Sequence, residues 1–73
     1  MSKLPQVSGR ETVRALEKAG FRFLRQKGSH IHLRRDEPFV QVSVPNHQSL
    51  KRGTLKSILN ASGLSVDEFI DLL

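Results

Sequence analysis

The sequence predicts an α+β fold: a three-stranded antiparallel sheet with helices on one face, in the order α-β-β-β-α followed by a short last helix. Three observations carry this expectation. A capping box opens the first helical pattern, three runs with period-two alternation follow across short turns, and helical spacing returns after Asn46.

In chain order, residues 1–6 read as a loose lead-in. Ser8-Gly9-Arg10-Glu11 is the capping box, in which each side chain satisfies an N–H left unpaired at the helix start. The helix is expected to run to about Ala19, with Val13, Leu16 and Ala19 as its apolar stripe and Gly20 as a left-handed stop. Phe21 to Lys27 begins as an alternating strand, although Leu24 blurs the pattern. After the Gly28-Ser29 turn, His30-Ile31-His32-Leu33-Arg34 alternates cleanly. Ile31 and Leu33 should face inward, with His30, His32 and Arg34 outward.

Asp36-Glu37-Pro38 is the second turn. Phe39 to Val44 forms a third strand that buries Val40, Val42 and Val44, and Pro45 should end it. Two short turns joining three strands imply an antiparallel meander, with one face covered and the other at least partly open. A second helix is expected from about Lys51 to Ala61, with Leu55, Ile58 and Leu59 inward and Gly63 as its stop. Ser65-Val66-Asp67-Glu68 is a second capping box. It opens a last helix whose Phe69, Ile70, Leu72 and Leu73 should pack back onto the core.

The 73 residues make one domain, 1–73. With no Trp and no Tyr, the core rests on Leu, Ile, Val and four Phe. The absence of cysteine points to a reducing, cytoplasmic setting. No run approaches the roughly 20 apolar residues that span a bilayer, so no membrane role is expected. The net charge is +5. Residues 1–35 hold nine Lys/Arg against Glu11 and Glu17, whereas residues 36–73 hold three basic and five acidic residues. A basic lobe of this kind suits a polyanion.

Three histidines are the side chains suited to proton transfer near neutral pH. His30 and His32 share a strand face, and His47 follows the third strand. Nothing in their spacing demands a metal, so none is expected. A reaction that imidazoles run without a metal is RNA cleavage. The 2′-OH loses a proton as it attacks the adjacent phosphodiester, and the leaving 5′-oxygen gains one. Arg25, Lys27, Arg34 and Arg35 lie close to His30 in sequence and would offset charge in the transition state. On spacing alone, the simpler account of His30 is an exposed strand histidine beside a solvated basic turn. Lys51-Arg52-Gly53-Thr54 adds two cations at a helix N-terminus, which fits either a phosphate clamp or two solvated charges.

These residues carry a resemblance. Gly28-Ser29-His30 after a basic strand, then Val44-Pro45-Asn46-His47, then Gly53-Thr54-Leu55 with Ile58-Leu59 and Gly63-Leu64-Ser65, resembles the HicA (YcfA-like) toxin family from about Ser8 to Phe69. The resemblance implies a fold like the double-stranded RNA-binding domain and an mRNA interferase toxin that cleaves without needing the ribosome, and the histidine chemistry above calls for no metal or cofactor. It also implies a HicB-type antitoxin as partner, and His30 of the Gly-Ser-His motif as the catalytic residue. His47 ranks ahead of His32 as the accessory group. Arg25, Lys27, Ser29, Arg34, Lys51 and Arg52 form the expected RNA-binding set. The free protein is expected to be a monomer. The rival readings are a non-catalytic RNA- or DNA-binding module and a protein-interaction domain.

Overall fold

The computed structural model describes residues 3–73; Met1 and Ser2, the start of the expected lead-in, lie outside the described residues. The elements are α1 (Gly9–Lys18), β1 (Arg22–Lys27), β2 (His30–Asp36), β3 (Phe39–Pro45), α2 (Arg52–Ser62) and α3 (Val66–Leu72). The sheet is antiparallel with order β1-β2-β3, so β2 is paired on both sides. The α+β architecture and element order agree with the sequence reading.

Both capping boxes form. Ser8 Oγ accepts from the Glu11 N–H at 3.0 Å while the Glu11 carboxylate accepts from the Ser8 N–H at 2.9 Å. Ser65 and Glu68 repeat the arrangement with the same two distances. Helix α2 has no such device, since its N-cap is Lys51 with no side-chain cap bond. It ends as its glycine predicts. Gly63 takes a φ of 78°, and the Leu64 N–H reaches back to Leu59 O at 3.1 Å.

The core lies between the helices and one sheet face. Leu16, Leu33, Val44, Leu55 and Phe69 are all but sealed from solvent, joined by Val7, Phe21, Ile31 and Leu59. Several expectations shift. The α1 stripe centres on Thr12, Ala15 and Leu16, with Val13 and Ala19 only half-buried. Thr12 counts as apolar here because its hydroxyl donates to Ser8 O at 2.9 Å. The lead-in is less loose than expected where it is described. Leu4 packs against the core, and the neighbouring Val7 O accepts the Leu50 N–H at 2.9 Å. Pro45 is the last residue of β3, which tolerates a residue without an N–H because β3 is an edge strand. In α3 only Phe69 is fully buried. Ile70 and Leu73 stay exposed, because successive helical residues turn about 100° and a seven-residue helix offers one stripe.

The two layers meet closely at Gly9. Its N–H donates to His47 O at 2.8 Å, and a Cβ there would fall onto the Pro45 carbonyl. Gly9→Ala is therefore expected to destabilise the fold by about 2 kcal/mol, whereas Gly53→Ala, with open space around its Cβ, should stabilise it by about 0.5 kcal/mol; urea midpoints of the two variants check both signs.

The Glu68 carboxyl is held below its ordinary value of 4.5, chiefly by accepting the Ser65 backbone N–H. A lowered folded-state pKa contributes stability that is present above the unfolded value and lost as pH falls through the folded one. The Tm difference between the wild type and Glu68→Gln should therefore shrink as pH drops from 4.5 downward, and thermal melts across that range read it.

Candidate active site

The period-two pleat sorts every strand residue onto one of two faces, and cross-strand partners share a face. Facing the helices are Ile31 and Leu33 of β2, paired with Val44 and Val42 of β3. The opposite face is open. Its rows run Lys27–His30–Pro45, Arg25–His32–Ser43 and Arg22–Arg34–Gln41, and end with Asp36 opposite Phe39. His30 and Lys27 are exposed, and His32 and Arg34 are half-buried.

The basic side of this face depends on one irregularity. Pairing runs in step from Phe23↔Leu33 and resumes at Arg25↔His32, so Leu24 is an extra residue in β1. Strict alternation would put Arg22 and Leu24 on one face, with Arg25 and Lys27 on the other. The bulge restarts the count and brings Arg22, Arg25 and Lys27 to the same open face as the two histidines. Leu24, which blurred the alternation in the sequence, marks the position of the bulge.

His30 is held from both sides. It opens β2 after a two-residue turn in which Gly28 takes a φ of 60°, a conformation glycine adopts without strain. Lys27 pairs with it from β1 and Pro45 from β3. Just beyond, the Asn46 N–H donates to Ser29 O at 2.6 Å, locking the turn against the start of the next loop. Ser29 is thus exposed at the corner beside His30.

Charge is graded along the open face. Asp36 pairs with Arg22 at 3.2 Å and with Arg34 at 3.0 Å, partly neutralising the far end. Among the described residues no carboxylate forms an ion pair with Arg25 or Lys27. The histidine end therefore offers the uncompensated positive charge.

Other expected site residues are elsewhere. Arg35 belongs to the helix-covered face. Its guanidinium lies 4.8 Å from the Phe21 ring centroid and donates to Ser62 O at 3.3 Å, at the C-terminal end of α2. Its sequence proximity to His30 does not make it part of that surface. His47 is exposed in a surface cleft with Ser8, Arg10 and Asn46, on the α1 side, whereas His32 shares the face of His30. Lys51 caps α2 in the helix layer, and Arg52 lines a groove with Lys3 and Lys56. Helix α2 begins soon after Pro45, so these two cations share the His30 end of the molecule but not its open face. The three histidines do not gather. Among the described residues no three His, Asp or Glu side chains cluster at metal-binding distance, and no helix is long and apolar enough to cross a membrane.

A family model for the HicA toxin of bacterial toxin–antitoxin systems matches residues 9–64, from the start of α1 to just past α2. The comparison with curated proteins gives no match.

The arginines divide into two kinds. Arg35→Ala should cost about 1–2 kcal/mol by removing the Phe21 contact and the α2 cap, while Arg25→Ala should change stability by less than about 0.5 kcal/mol. Urea unfolding of the two variants checks the division.

Proposed function

The chain belongs to the HicA toxin family of bacterial toxin–antitoxin systems, and from that membership we propose that it is an mRNA-cleaving endoribonuclease whose catalytic residue is His30. The observation that carries this reading is the open face on which His30 and His32 stand beside Arg25 and Lys27, with no ion pair neutralising those two cations among the described residues.

The chemistry follows from that arrangement. Residues i and i+2 on a strand have Cα atoms about 7 Å apart and side chains on one face, so the imidazoles of His30 and His32 reach opposite sides of one phosphodiester. One takes the 2′-OH proton as the 2′-oxygen attacks phosphorus. The other delivers a proton to the 5′-oxygen as its bond to phosphorus breaks. The products are a 2′,3′-cyclic phosphate and a 5′-hydroxyl. Arg25 and Lys27 balance the charge that grows on the non-bridging oxygens. RNA is selected over DNA because the nucleophile is the 2′-OH. His32 takes precedence over His47 as second proton carrier because His47 stands on the α1 side.

Arg34 and Ser29 add contacts to the backbone on the same face and at its corner. Lys51 and Arg52 meet strand that passes over the end of the sheet onto the helix layer. A toxin of this family has an antitoxin partner; we take it to be HicB-type, covering the histidine face with an acidic surface in the cytoplasm. The reaction as written needs no cofactor.

His30→Ala should reduce cleavage by at least about 100-fold, the low end for loss of a general acid or base, while its urea midpoint stays at the wild-type value. Purified protein incubated with RNA in EDTA, beside this variant, makes the test. Cleavage by His30→Ala near the wild-type rate would remove His30 from catalysis. Intact RNA with a salt-sensitive gel shift from both proteins would point to a binding module instead.

A further inference from the structure

The open face ends, opposite His30, in an aromatic ring that the chemistry above does not use. Phe39 is the first residue of β3, paired with Asp36, and at 63% exposure it is the most exposed large apolar side chain among the described residues. Its face is the histidine face, since Asp36, Arg34, His32 and His30 alternate along β2 on that side. The Arg34 guanidinium stands 5.9 Å from the ring centroid, itself tethered by Asp36 at 3.0 Å.

We propose that Phe39 is a stacking platform for a base of single-stranded RNA, fixing the strand a few nucleotides from the phosphodiester that His30 attacks. This rests on the ribonuclease reading above and assigns the other end of the same surface. Every base has an apolar π-face that gains by leaving water, and an exposed phenylalanine carried on a sheet offers the matching surface. Arg34, already beside the ring, supplies a guanidinium plane against the same base. From His30 to Asp36 is six residues of β2, about 20 Å at the usual strand rise, which a short stretch of extended single strand covers.

The charge gradient gives the polarity of use. Where Asp36 offsets Arg22 and Arg34, phosphate attraction is weakest and a neutral base fits. Where Arg25 and Lys27 are uncompensated, the reacting phosphate fits. A duplex presents no base face to a flat sheet, so the occupant is single-stranded.

The test uses the absence of Trp and Tyr from the chain. Phe39→Trp keeps an aromatic platform and introduces the sole indole, whose emission a stacked base quenches. In a His30→Ala background the RNA stays intact, and a single abasic site is walked along a short single-stranded oligoribonucleotide. Quenching should be lost when the abasic site occupies one position, and that position should lie a few nucleotides from the cleavage point mapped with the His30-containing protein. In cleavage assays Phe39→Ala and Phe39→Leu should each raise KM about tenfold with kcat little changed, and Phe39→Trp should restore it. An unchanged KM in both, or bound RNA that leaves the indole unquenched at every abasic position, overturns the platform while leaving His30-dependent cleavage standing. RNA that neither binds nor is cut overturns both.

Discussion

The whole candidate site rests on the period-two register of a sheet that is covered on one side only. On such a sheet a one-residue slip exchanges the buried face for the wet one. Strand β2 fixes the count, because Ile31 and Leu33 are sealed beneath the helices while His30, His32 and Arg34 are left outside. The extra residue at Leu24 then lets β1 contribute Phe23 and Gln26 to one face and Arg22, Arg25 and Lys27 to the other. The close approach of Gly9 to Pro45 and His47 completes the constraint, pinning the helix layer to the end of the sheet where His30 pairs.

Much of this was legible in the residues. Capping boxes are local, so Ser8–Glu11 and Ser65–Glu68 could be read without knowing the fold. The alternation of His30 to Arg34 named the buried and open sides of β2 directly. What could not be read was long-range. Arg35 is three residues from His32, yet the α2 carbonyl it caps comes from Ser62, and only tertiary packing decides between that partner and solvent. Lys51 and Arg52 read as a phosphate clamp or as two solvated charges, and their place in the helix layer depends on the direction in which the chain leaves β3. The bulge was visible only as a flaw in alternation at Leu24. A single apolar residue out of phase does not say which neighbours it displaces.

The open face is also unusual in its division of polar labour. One acid, Asp36, serves two arginines at the far end, so the four cationic or imidazole side chains nearest the turn, Lys27, His30, Arg25 and His32, are not equivalent to Arg22 and Arg34 beyond them. Like charges crowded on one sheet face repel each other, and the Asp36 pairs relieve this where neutralisation does no harm to anion binding. Leaving Arg25 and Lys27 uncompensated costs some folding stability, a cost that any bound polyanion, nucleic acid or acidic protein, would return.

The placement of His30 on the central strand carries a further consequence. Active histidines are often borne on loops, where ordering each backbone residue opposes binding by about 1–2 kcal/mol of conformational entropy. Here the main chain around His30 is already bonded to β1 on one side and β3 on the other, and the turn before it is tied to Asn46. If His30 acts as proposed, a ligand arriving at this surface meets a backbone already paired on both sides, so its binding requires little ordering of the main chain. Silencing such a site by a change of shape would mean opening the sheet itself; covering it is the inexpensive route.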